Sequence, residues 1–110
     1  MAIAINIFKT VTANVTTTGN VVYSAPSGYS SVVLLAQVSN IGNTTITVSA
    51  DHARSGSYTN ILTDGELPAN DSMNLLFGKL MLQTGAGFRV SASDNNAAQL
   101  LLSVLETANP

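Results

Sequence analysis

Residues 51–60 read DHARSGSYTN. They hold the chain's one histidine, His52, with Asp51 before it, Arg54 two places on, and hydroxyls at Ser55 and Ser57. Acid, imidazole and hydroxyl are the parts of a nucleophilic triad, which works only if the three converge in space. On a strand, adjacent residues point to opposite faces. The alternation of Ile46, Val48 and Ala50 puts His52 on the apolar phase and Asp51 on the polar one. That separation disfavours an Asp–His hydrogen bond, and the chain has no G-x-S-x-G elbow. We expect instead a strand from Ile46 to His52, a glycine-centred loop, and a second strand starting at Tyr58. His52 and Arg54 then share a phase at the loop, with Tyr58 beyond, and form a candidate protein–protein contact. Phe77, mid-strand before Gly78, is a fourth candidate, as an apolar knob at a subunit boundary.

Other chemistry finds little support. One histidine and no cysteine exclude a typical zinc or copper site, a disulfide framework and a thiolate nucleophile. Asp64, Glu66 and Asp71 cluster around a proline turn, TDGELPAND, but lack the residue order of a calcium-binding EF-hand loop. We expect a solvated turn there. Two of the six acids could converge for glycoside chemistry, yet the chain has no tryptophan to supply a sugar platform. Gly85-Ala86-Gly87 is a G-x-G between strands with no helix after it, which does not bind nucleotides. Met73 and Met81 read as core or interface fillers. We therefore expect no enzyme activity, cofactor or metal.

The four basic residues, Lys9, Arg54, Lys79 and Arg89, are scattered. No basic patch suits a phosphate backbone, and nucleic acid is not an expected partner. No apolar run approaches the ~20 residues that cross a bilayer, and MAIAINIFKT lacks the charge and cleavage pattern of a signal peptide. We expect no membrane partner. The unusual quantity is the charged fraction, 9% against a typical ~25%. Ser, Thr and Asn fill the gap, 35 of the 110 residues. Monomeric proteins usually keep more surface charge for solubility, so a neutral polar exterior implies that neighbours cover much of it.

The elements that would carry these residues are strands. Thr44 to Ala50 and Phe88 to Ser93 alternate polar and apolar without a break, the pattern of half-buried antiparallel strands. Ser30 to Val38, SSVVLLAQV, is apolar on both phases through its middle, which fits a strand covered on both faces or one whose outer face meets a partner. Turn residues recur at regular intervals: Thr18-Gly19-Asn20, Ala25-Pro26-Ser27-Gly28, Asn40-Ile41-Gly42-Asn43, Arg54-Ser55-Gly56-Ser57, Leu67 to Asp71, Gly85-Ala86-Gly87 and Asp94-Asn95-Asn96. The runs between them predict about eight strands, 3–16, 21–25, 30–40, 44–53, 58–63, 72–83, 88–93 and 98–106. Residues 97–106 have helical preferences, but a last strand completes the sheet better. The expectation is all-β: one antiparallel β-sandwich or jelly-roll-like domain over residues 1–110, with 108–110 as a short tail.

Five segments carry a resemblance: FKTVTANVTTT (8–18), VVYSAPSGYSSVVLLAQVSNIGNTTITVS (21–49), HAR (52–54), GKLMLQTG (78–85) and LLSVLETAN (101–109). Together they resemble small virion structural proteins of tailed bacteriophages, best represented among phages of cyanobacteria. The shared features are a Y-x-A-P-x-G-Y turn at Tyr23 to Tyr29, an Asn-containing hairpin at Asn40 to Asn43, a G-K-L-x-L-x-T-G turn at Gly78 to Gly85, and a final S-V-L-E strand at Ser103 to Glu106. Gly85-Ala86 departs from a Gly-Asp that such proteins often have, which removes a charge from that turn. The resemblance implies a β-sandwich of the virion, assembled in the bacterial host cytoplasm. Most simply it would be a capsid decoration or cement protein clamping major capsid protein subunits, as a homo-oligomer with a trimer favoured. A neck, tail or fibre-attachment protein is the alternative. From another class comes a carbohydrate-binding adhesion module, with TDGELPAND at a loop end.

Overall fold

The structure is a computed structural model and describes residues 6–76 and 78–108. The chain runs through β1 (Asn6–Val15), β2 (Asn20–Ser24), β3 (Tyr29–Asn40), β4 (Ile46–Arg54), β5 (Ser57–Leu67), β6 (Ser72–Asn74), β7 (Leu80–Leu82), β8 (Gly87–Ala92) and β9 (Ala98–Ala108). Two antiparallel sheets form. Sheet A has the order β1-β9-β3-β6, with β7 also paired to β3, and sheet B has the order β2-β8-β4-β5. β6 pairs with residues 37–39 of β3 and β7 with residues 31–33, so the two triplets are halves of one interrupted strand. Counted that way, the pairs β1–β9, β2–β8, β3–β6/β7 and β4–β5 are the nested partners of a jelly roll.

The all-β expectation therefore holds, and so does a strand rather than a helix over residues 98–106. Three details differ. The expected strand 72–83 breaks between Asn74 and Leu80, though Leu75 N–H still donates to Ala36 O at 2.8 Å. The expected loop after residue 63 is strand as far as Leu67. Ala108, assigned to a tail, belongs to β9, while Asn109 and Pro110 lie outside the described residues, as do the first residues of the expected strand 3–16.

Bulges set which residues face inward. In β3 the register with β9 slips between Val33 and Leu35, leaving Leu34 as the extra residue. Ser31 and Val33 face the core before the slip, and Ala36, Val38 and Asn40 after it. The apolar run VVLLA thus reflects a phase change as much as two-sided cover. In β2 the slip between Val21 and Tyr23 sets Tyr23 opposite buried Phe88 and turns its ring inward. The core between the sheets is aliphatic, with Val33, Val38, Ile46, Val48, Leu82, Leu102 and Val104 around Phe88.

The sheet edges differ. β5 is exposed but interrupted by two register slips against β4, one beside Asp64 at φ 49. Bulges of this kind discourage pairing with foreign strands. β1 is an edge of ten residues in continuous register with β9. Its one charge, Lys9, lies opposite buried Val104 and so points toward the core side of the sheet, another device that blunts an edge.

Candidate functional site

DHARSGSYTN folds as a tight hairpin. Ser55 (φ 51) and Gly56 (φ 81) form a two-residue turn with both central residues left-handed, the type I′ geometry that matches strand twist. Directly opposed residues share a face of the sheet. His52 is opposite Phe88 and Asp51 is opposite Arg89, so the two side chains point to opposite faces, as their phases indicate. Asp51 instead binds Arg89, Nη1 to Oδ2 at 3.1 Å, on the outer face of sheet B. The Arg89 guanidinium also lies 4.4 Å from the centre of the Tyr58 ring, a cation–π contact.

The short turn pairs Ala53 with Tyr58. Tyr58 therefore stands on the face of Asp51 and Arg89, whereas His52 is on the core phase. Expected as a trio, His52, Arg54 and Tyr58 do not share a face. Arg54 and Tyr58 do border one shallow hollow with Val21 and Gly87. Phe77, the fourth candidate, lies outside the described residues. Asp64 and Glu66 fall in β5, and no three of His, Asp and Glu come together among the described residues.

Two polar clusters that local motifs do not reveal lie inside the sandwich, at opposite ends of β3. At one end Glu106 is 2% exposed. Tyr23 Oη donates to its Oε2 at 2.5 Å and Lys9 Nζ lies 3.1 Å from its Oε1. With the phenol proton directed at the carboxylate, Ser31 Oγ donates to Tyr23 Oη, at 2.7 Å. The cluster draws on β1, β3 and β9 of sheet A and β2 of sheet B, so it clasps the sheets together. The phenol holds the Glu106 carboxyl below its ordinary range against the opposing effect of burial, and Lys9 adds to the lowering. Burial and the adjacent carboxylate push Tyr23 up to about 12. Both shifts keep the shared proton on the phenol. At the other end buried Asn40 donates from Nδ2 to Thr44 O (2.8 Å) and Leu67 O (3.0 Å) and accepts from Gly42 N–H (2.9 Å). No buried side-chain polar atom lacks a partner among the described residues.

The signal for Glu106 was present as parity. Leu100, Leu102 and Val104 face the core at period 2, and Glu106 continues the series.

The outer face of sheet A is the remaining candidate. Phe8 is opposite Leu105, Leu105 opposite Val32, and Val32 opposite Met81. These four make an apolar row across the whole sheet, ending in Phe8 (74% exposed) and Met81 (58%). Further along the strands come the rows Thr10–Ser103–Leu35, Thr12–Leu101–Gln37–Asn74 and Asn14–Gln99–Ser39–Ser72. Thr12, Leu101 and Gln37 of the one row and Asn14, Gln99 and Ser39 of the next line a depression of about 540 Å³. None of these paired outward positions is charged. Two charges stand at the margins of the face: Asp71, whose carboxylate accepts from Ser72 N–H at 2.8 Å, and Lys79, which borders a hollow with Leu34 and Leu35.

This pattern of groups has a chemistry of contact. The groups aligned on the face can bury apolar area and exchange neutral hydrogen bonds, and none of them is a nucleophile–base pair or a ligand set for a metal. No family model, no curated protein and no solved structure matches the chain.

Proposed function

We propose that this chain is a non-enzymatic structural subunit of a tailed-phage virion, most simply a capsid decoration protein that stabilises neighbouring major capsid subunits. The observation that carries the proposal is the strand order, β1-β9-β3-β6/β7 against β2-β8-β4-β5, an architecture that recurs in viral capsid domains. Fold alone does not assign a role, so two further observations support it. The segments behind the virion resemblance close on one another: Lys9 from the first, Tyr23 and Ser31 from the second, and Glu106 from the last form one buried cluster. A broad sheet face that is neutral and partly apolar also suits a protein whose work is to be covered.

The experiment is mass spectrometry of purified particles after separation of heads from tails. Recovery with heads at a stoichiometric ratio to the major capsid protein is the expected result. Recovery with tails transfers the role to neck, tail or fibre attachment, and absence from particles removes the reading.

Jelly rolls also serve as lectins. The specific observation favouring that second reading is the depression over Asn14, Gln37 and Gln99, whose carboxamides can bond sugar hydroxyls. A glycan array with a flat response eliminates it.

A further inference from the structure

We infer that the outer face of sheet A is a self-association surface on which two copies of this chain pack face to face about a two-fold axis. Singly exposed apolar residues are ordinary on a protein surface. Phe8, Leu105, Val32 and Met81 are not single: they form an unbroken row across β1, β9, β3 and β7. Leu101 extends the apolar area further along the strands and is 36% exposed. Contiguous patches of this kind mark contact surfaces.

Charge selects the occupant. A face meeting its own copy sets like groups near like, so any charge on it tends to repel its equivalent. Sheet B carries Asp51, Arg89, Asp64 and Glu66. The paired outward positions of sheet A carry none. Beside the apolar row they carry Leu35, Leu101 and otherwise Thr, Ser, Asn and Gln, each of which both donates and accepts. Such groups can hydrogen-bond to their own kind, which a face of fixed acceptors or fixed donors cannot do.

Area agrees. Four strand positions at about 4.8 Å and ten residues of β1 at about 3.4 Å give a footprint of roughly 600–700 Å². A stable interface takes about 800 Å² of accessible surface per partner, and accessible area on a surface of side chains exceeds its flat footprint. The face alone thus approaches what a specific pair needs. Because one copy covers the whole face, this mode closes at two subunits. It departs in that respect from the trimer that the virion resemblance suggests.

The geometry of the pair follows. The apolar row lies near one end of β1, so an axis along the row would overlap only the ends of the two sheets. An axis parallel to the strands, between β9 and β3 and in the plane of contact, superposes the full faces. It lays Phe8 of one copy over Met81 of the other, and Leu105 over Val32. This inference requires nothing of the virion reading, and either can fail without the other.

The test uses the whole chain in sedimentation velocity from micromolar to several hundred micromolar. We expect a concentration-dependent dimer. Met81→Glu and Phe8→Glu should each weaken it at least tenfold, and Glu66→Ala on sheet B should leave it unchanged. Both acidic substitutions fall on exposed side chains, and matched circular dichroism and urea midpoints confirm that each variant is folded. The chain has no native cysteine, so cross-linking is clean. A mixture of Phe8→Cys and Met81→Cys chains should join through a short thiol-reactive linker, while Phe8→Cys alone should not, because its two copies sit at opposite edges. A wild-type monomer throughout the range overturns the inference. So does a dimer indifferent to both acidic substitutions, a trimer, or a folded Phe8→Cys chain that cross-links to itself. A neutral oligosaccharide that binds over Gln37 and Gln99 on a chain that stays monomeric also overturns it.

Discussion

Two ion pairs in this protein have the same length and different surroundings. Lys9–Glu106 and Arg89–Asp51 both measure 3.1 Å. The Glu106 side chain is 3% exposed and lies between the sheets, with a phenol on its second oxygen. Asp51 and Arg89 lie on one outer face, with side chains 13% and 30% exposed. Distance alone would rank them equal. The difference is what else depends on each carboxylate. Glu106 satisfies the Tyr23 hydroxyl and holds a strand of one sheet to a strand of the other. Asp51 steadies a guanidinium on the surface of a single sheet.

Glu106→Ala should cost the most. It removes a buried side chain, leaves a cavity and takes from the Tyr23 hydroxyl its charged acceptor, for a loss of about 3 kcal/mol. Lys9 adds little to that figure, because its ammonium is half exposed and returns to water. Urea unfolding measures the loss as a lowered midpoint at unchanged slope. Asp51→Ala, measured alongside, should cost less than Glu106→Ala, because the Arg89 guanidinium keeps its place over Tyr58 and part of its access to water. Equal losses would show that the surroundings of the two carboxylates make no difference.

Tyr23→Phe comes next, at about 2 kcal/mol, the range for a hydrogen bond to a charged partner. It also separates two pH effects. Glu106 has a folded pKa below its unfolded value of roughly 4.3, so its contribution is present above that pH and is lost as pH falls through the folded value. Tyr23 is raised from 10.0 to about 12, so its contribution is present below pH 10 and is lost as pH rises toward about 12. Urea midpoints plotted against pH should fall on both sides. In Tyr23→Phe the alkaline component should vanish, and the acid fall should become smaller, because a carboxylate that has lost its principal donor has a folded pKa closer to its unfolded one. An unchanged alkaline limb would show that the phenol is not held by the clasp.

Much of this architecture is legible in the sequence. Period-2 patterning located the strands, and the opposite phases of Asp51 and His52 survived to the register of β4 with β8. What could not be read was set by nonlocal pairing. The face of Tyr58 is set by the length of the turn at Ser55 and Gly56, which decides which residues oppose each other, and a glycine alone does not fix that length. The interruption between β6 and β7 accompanies the bulge at Leu34 on the strand they pair with, some forty residues away in the chain. Glu106 was recognisable as inward by parity. Its partners were not, because Lys9 and Tyr23 reach it only once β1 and β2 have been laid in different sheets. The neutral surface was plain from composition, but which face held the neutrality depended on every strand's phase at once.

Gly19→Ala, on the surface side, should cost the least. The Arg89 guanidinium lies against Gly19, where an added Cβ would come within 2.4 Å of Nη2. The obstruction is the free end of a flexible side chain, so Gly19→Ala should displace Arg89 without disturbing the sheet. The displaced guanidinium would loosen both its pair with Asp51 and its place over Tyr58. For a part-buried pair that is loosened, not deleted, with one aromatic contact, the loss should be within about 1 kcal/mol. Salt identifies its origin. Raising ionic strength toward 1 M shortens the screening length to about 3 Å, so the gap between wild type and Gly19→Ala should shrink. The gap between wild type and Tyr23→Phe, which arises between the sheets, should persist. A Gly19→Ala loss that stays constant with salt would mean that Gly19 matters for its backbone and not for the room it gives Arg89.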